Sequence, residues 1–305
     1  MEKDIPAAEI AGQGNRFMGF RILRGRTVVS CAAMAAWVLL LGALSGASAA
    51  QRQSGAAATP RPSAKASAVI DMTGQWVSIV DEDWVWRMAT PAKGDFASVP
   101  LNKEGERVTL LWDPARDKAA GNECKAYWAG NIMRIPGRFR ISWVDDNTLQ
   151  IESDAGMQKR LFHFDGSKWK QGQLLPQGDT VAMWEKQIQT RSGSGPFGGP
   201  APGKGGKLHA VTRHMSPGYL HKNGIPYSEE SVMTEHYTVV TVHGVKYLIL
   251  TSVFEDPKYL TEPYILSSQF KLETDESKWE PSPCRPTWPL SIREKLGPRA
   301  RRESQ

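Results

Sequence analysis

Arg138-Phe139-Arg140-Ile141-Ser142-Trp143-Val144 places Phe139, Ile141 and Trp143 on one side and Arg138, Arg140 and Ser142 on the other. That period-two alternation is the mark of a strand with one face buried. Asp145-Asp146-Asn147 then supplies a turn, Leu149 to Ser153 follows, Asp154-Ala155-Gly156 turns the chain, and Met157 to Phe164 returns before Asp165-Gly166. Short strands and turn residues at this spacing predict an antiparallel meander. Val181 to Gln189 reads as a further strand.

The pattern continues downstream. Leu208 to Met215, Val232 to Val242, Val245 to Phe254 and Tyr264 to Leu272 are rich in Val, Thr, Tyr and Ile, with His243-Gly244 as the tight turn between the middle two. One short helix is expected over Asn102 to Trp112, where Val108, Leu111 and Trp112 share a face with Leu101 and Pro114 stops the run. The fold expectation is all-β, either an antiparallel barrel or two packed sheets. Arg191 to Gly206 is dense in Gly and Pro and reads as a flexible loop that divides the folded part.

Outside this region the composition changes. Basic residues lead into an apolar run from Val28 to Leu44 and then Ala47-Ser48-Ala49-Ala50, the order of a secretory signal peptide cut after Ala49. Retention as an uncleaved anchor is the alternative. The expected organisation is signal 1–49, a disordered spacer 50–69, a β-rich domain 70–284 and a basic disordered tail 285–305, in a periplasmic or secreted protein.

Export decides how cysteines and charge are read. Cys31 leaves with the signal, so Cys124 and Cys284 remain for an oxidising compartment and are expected to pair, two separate thiols being the alternative. A loop that long is worth roughly 4 kcal/mol in the chain-entropy model. The formal charge of +6 sits mostly at the two ends, leaving Ile70 to Cys284 slightly acidic. Nucleic-acid binding, which needs a basic face on the folded domain, is therefore not expected. Peripheral contact of the tail with an anionic membrane stays open.

Asp71-Met72-Thr73-Gly74-Gln75-Trp76 carries a Gly-x-Trp that resembles the opening strand of lipocalin-like barrels. The resemblance implies a barrel whose tryptophan closes the floor, with a basic residue of the last strand packed on it. Lys271 is the candidate for that partner. Longer segments, Glu82-Asp83-Trp84-Val85-Trp86-Arg87-Met88, Ile132 to Arg138, Pro217 to Gly224 and Glu255 to Thr261, resemble a group of secreted bacterial proteins without an assigned activity. That resemblance implies secretion and a shared fold, and nothing about mechanism.

Candidate chemistry is sparse. His209 and His214 fall on opposite strand faces, His236 and His243 do not face each other, and no pair has HExxH spacing, so neither a metal nor any other cofactor is assigned. Esterase, nucleotide and dinucleotide signatures are missing from the sequence. If the meander closes, His214, Tyr219, His221 and Glu235 form an acid–base set at one barrel mouth, the basis for a cofactor-independent isomerase, lyase or hydrolase. Trp84 and Trp86 share one strand face with Arg87 on the other, and with Tyr127 they form either core or the wall of a ligand pocket. The leading expectation is an exported lipocalin-like protein that binds a small apolar or aromatic molecule. The alternatives are that enzyme, or a non-catalytic envelope protein that works through the Gly/Pro loop and basic tail.

Overall fold

In a computed structural model of the chain, residues 62–96, 98–165, 173–186, 205–285 and 289 are described. The signal segment, the spacer through residue 61, most of the Gly/Pro segment and the basic tail beyond Arg285, Pro289 apart, lie outside them. Nine strands close a barrel, in the spatial order β1 (Gly74–Ile79), β11 (Tyr264–Glu273), β10 (Val245–Glu255), β9 (Val232–Val242), β6 (Gly206–Arg213), β5 (Asp179–Lys186), β4 (Lys159–His163), β3 (Thr148–Ser153) and β2 (Arg138–Asp145). A separate two-stranded ribbon joins β7 (Gly218–Tyr219) to β8 (Pro226–Tyr227). Among the described residues, no helix is long and apolar enough to cross a membrane.

The alternation along β2 is realised as expected, with Phe139 and Ile141 buried and Trp143 half-buried. Strand β9 has the expected bounds, and His243-Gly244 turns with both residues at positive φ, 49° and 78°. Glycine tolerates that conformation without cost, which is why the dipeptide makes a tight hairpin.

One expectation about direction fails. A ring of nine strands cannot alternate direction all the way round, so at least one neighbouring pair must run parallel. That pair is β4 and β5, with Phe162 opposite Thr180 and His163 opposite Val181. The chain therefore does not turn straight back at Asp165; it restarts at the opposite end of the barrel. Strands β5 and β6, which flank the Gly/Pro segment, pair from Asp179–Arg213 to Lys186–Gly206. Both halves of the sequence thus close a single barrel.

The registers define two ends. The tryptophan end holds Gly74, Trp143, Trp184 and the 243–244 turn. The helical end holds the start of β2, β4, β5 and β9, and carries the excursions 80–137 and 214–231. Three helices occur there: α1 (Trp84–Met88), α2 (Lys103–Leu111) and α3 (Pro114–Ala119). Helix α2 matches the expected segment and is capped by the Asn102 side chain, which accepts from the Gly105 N–H. Its buried face is Gly105 and Thr109, while Leu110 and Leu111 are exposed. The run ends at Leu111, ahead of Pro114 as expected, and Pro114 then takes the first turn of α3, where its missing N–H costs nothing.

Trp84 and Trp86 lie on α1, not on a strand. Arg87 decides this. Its buried side chain donates Nε–H to the Arg134 carbonyl and Nη1–H to the Ile79 carbonyl. Those bonds draw the segment into a turn across the helical end and away from any ladder. Gly224, at φ 81°, belongs to the same cap: a Cβ there would lie 2.0 Å from Trp112 Cγ, so only glycine lets the two segments meet.

Cys124 and Cys284 form a disulfide, with Cα atoms 5.1 Å apart and a sequence separation of 160. At a separation of 160 the chain-entropy model gives about 5 kcal/mol, above the roughly 4 kcal/mol read from the sequence. The bridge fastens the segment around Cys284 beside Tyr127, whose hydroxyl accepts from the Arg285 N–H.

Candidate functional site

The barrel interior is filled. Trp76, Phe139, Ile141, Leu149, Phe162, Leu208, Tyr237, Leu250 and Phe270 are all fully buried in one core, with Phe139–Phe270 and Phe162–Tyr237 meeting edge to face at 5.3 and 5.9 Å. Trp76 donates its indole N–H to the Met72 carbonyl at 2.8 Å. Lys271 does not pack on it. Lys271 pairs with Val77 and points outward, because strand alternation gives the interior to Phe270 and Leu272.

Within the core runs a charged strut. Arg160 on β4 grips Glu235 on β9 with two hydrogen bonds, Nη1 to Oε1 at 2.9 Å and Nη2 to Oε2 at 2.6 Å. Tyr237 donates to the same carboxylate at 3.0 Å, and Arg160 also reaches Thr212. Burial and the neighbouring carboxylate hold the Tyr237 phenol well above its ordinary range. Glu235 is thus a fully engaged ion-pair partner. A cavity beside it, lined by Asn131, Arg134, Leu220, Met233 and Phe254, has a volume of about 10 Å³. That is room for one water, not for a ligand.

The helical end is equally tight. Trp86, Arg87, Arg134, His221 and Lys222 surround a second cavity of about 10 Å³. Arg134 reaches Asp83 at 2.8 Å, Lys222 donates to the Arg87 carbonyl, and His221 Nε2 lies 3.0 Å from the Tyr264 hydroxyl. Burial, then the charge of Arg134, pushes the His221 imidazole down to about 3, so it is neutral. Burial, then Arg87, brings Lys222 down to about 8.

The acid–base candidates therefore occupy separate networks. His221 faces Tyr264, Glu235 is held by Arg160, and Tyr219 donates to both carboxylate oxygens of Asp117. Burial and that carboxylate push the Tyr219 phenol upward. His214 lies 3.4 Å from Asp179. Of the pocket candidates, Trp86 and Arg87 share the small cavity with His221, Trp84 is 60% exposed, and Tyr127 is buried in the main core.

A ligand-sized space lies instead at the tryptophan end. Residues 62–69, expected as disordered spacer, cross this end and are tied down by three bonds. The Ala64 N–H reaches Asn147 Oδ1, the Lys65 N–H reaches the Asp146 carbonyl, and Trp184 Nε1–H donates to the Ala64 carbonyl. Beneath them Trp143, Phe164 and Trp184 cluster at ring separations of 5.1 to 6.4 Å. Lys65, Ala68, Val69, Ile70, Asp71 and Trp143 line an open cleft of about 250 Å³. It joins one aromatic wall and aliphatic flanks to a cation and an anion, the composition of a small-molecule site. The alternation of β2 puts Trp143 inward, but nothing local in the spacer foretold its docking.

A second constellation escaped the sequence. On the outer wall His209 and His236 are direct cross-strand partners, their rings stacked at 4.8 Å and 8°. Glu185 Oε1 lies 3.3 Å from His209 Nδ1. Sequence spacing compares histidines along one strand or across one hairpin, whereas β6 and β9 are joined by an excursion of 18 residues, 214–231.

Compared with known proteins, the chain matches no family model, no curated protein and no solved structure.

Proposed function

We propose that this chain is an exported β-barrel protein that binds a small aromatic molecule in the cleft beside Trp143, not inside the barrel. The observation that carries the reading is the contrast in volume. The cleft offers about 250 Å³, against about 10 Å³ for each of two cavities among the described residues of the barrel and its helical end. Trp143 supplies a stacking face, Val69 and Ile70 the apolar flanks, and Lys65 and Asp71 the polar groups that orient a charged or hydrogen-bonding substituent. Export is supported by the signal-like N-terminus, by the disulfide and by the resemblance of four segments to secreted bacterial proteins.

The test is calorimetric and fluorimetric titration of the full chain with indole, benzoate, benzylamine, a fatty acid and glucose. One aromatic compound is expected to bind saturably, and Trp143→Ala to weaken it roughly tenfold, about 1.4 kcal/mol. Trp84→Ala, which changes an exposed tryptophan at the other end, is expected to leave binding intact. Absence of saturable binding across the panel, or equal binding by Trp143→Ala, overturns the assignment.

A further inference from the structure

We propose that Glu185, His209 and His236 form a site for a borderline divalent transition-metal ion, with Zn²⁺ as its type, on the outer wall of the barrel. The three residues stand on adjacent strands, β5, β6 and β9, whose registers are set by continuous ladders. His209 lies opposite His236, and Glu185 is the next outward residue of β5 after Met183, the partner of His209. One donor atom from each of the three lies within 4.8 Å of the others.

That spacing is close to what coordination needs. Donors about 2.0–2.2 Å from a tetrahedral Zn²⁺ stand about 3.3–3.5 Å from one another. Glu185 and His209 already meet this at 3.3 Å, and side-chain rotation alone closes the wider gap, since all three side chains are only partly buried. The backbone need not move. Two imidazoles and a carboxylate suit Zn²⁺, Cu²⁺ or Ni²⁺, whereas Ca²⁺ and Mg²⁺ require more oxygens. Three protein ligands leave a fourth position for water or a ligand atom, the composition of an open zinc site.

One further observation points the same way, and one marks a competitor for the site. His236 Nδ1 is buried and finds no hydrogen-bond partner among the described residues. Lys207, two residues before His209 on the same face, places its ammonium 3.0 Å from Glu185 Oε2. This ammonium competes with a metal ion for the carboxylate, and Lys207, nearly half exposed, has room to release it.

The experiment is titration of the full chain with Zn²⁺ alone, read by calorimetry and by metal retained after dialysis. One saturable Zn²⁺ per chain is expected. His209→Ala and His236→Ala should each weaken binding roughly tenfold or more, as loss of a ligand requires. Lys207→Gln should tighten it severalfold by freeing Glu185. His214→Ala and His243→Ala, which remove histidines outside the cluster, should not change it. No saturable uptake overturns the site, as does unchanged affinity in the His209 and His236 variants or an equal loss in the His214 and His243 controls. Should either histidine variant fail to fold, Glu185→Gln on the same wall decides, with weaker binding expected and unchanged binding overturning the site.

Discussion

The two ends of this barrel are closed by different physics. At the helical end, buried Arg87, Arg134 and His221 and half-buried Lys222 are each fixed by a specific partner, and the space among them shrinks to a cavity of about 10 Å³. At the tryptophan end, three aromatic rings and a strap held by three hydrogen bonds leave a cleft of about 250 Å³. The difference follows from what each kind of group tolerates. A buried polar group without its partner is costly, so polar networks draw tight. Aromatic faces lose little when one side is left to solvent or a ligand.

The contrast is broken most severely at the strut in the core. Arg160→Met leaves Glu235 buried without its cation and is expected to cost about 3–5 kcal/mol in urea unfolding. Arg160→Met combined with Glu235→Leu should recover most of that loss. A single variant within about 0.5 kcal/mol of the parent would mean the carboxylate is not held as described.

The next effect sharpens the helical end. The His221 pKa is lower in the fold, about 3, than its ordinary 6.5. Below pH 6.5 the unfolded chain therefore binds a proton that the folded chain refuses. This contribution to stability is complete above pH 6.5 and lost as pH falls toward about 3, at up to about 1.4 kcal/mol per pH unit. Carboxylates titrate in the parent and in His221→Phe alike. The stability difference between the two should therefore shrink from pH 6.5 to pH 4, and parallel profiles would refute a buried neutral imidazole.

The smallest effect concerns the strap. Trp184→Phe keeps an aromatic ring but removes the Nε1–H bond to the Ala64 carbonyl, with an expected loss of about 1 kcal/mol. Hydrogen exchange at the Ala64 and Lys65 amides should rise while amides of the helical end stay protected. Unchanged exchange would show that the strap is held by other contacts.

Much of the barrel was legible because strand alternation is local. Phe139, Ile141 and Trp143 faced inward as their spacing required, and β9 had its expected bounds. The parallel β4–β5 pair was not legible, since strand direction depends on how many strands close the ring. Trp84 and Trp86 misled because two alternating residues fit a strand or a turn equally well, and the tertiary bonds of Arg87 chose the turn. Glu235 read as a free acid because its partner, Arg160, lies 75 residues away.

The candidate sites show the same division. Trp143 was visible as an inward aromatic, but the strap that makes a cleft of it came from a segment composed like a spacer. His209 and His236 were visible as histidines, while their pairing needed the β6–β9 register.

Residue order alone carried the strand periodicity, the turns, the likeness to an exported chain and the cysteine pair, because each depends on neighbours or on counting. Closure of the ring, the filling of its interior and the meeting of Glu185 with two histidines came only with the tertiary structure. Those depend on which distant strands share an edge, and hydrophobic alternation says which way a side chain faces without saying whom it meets.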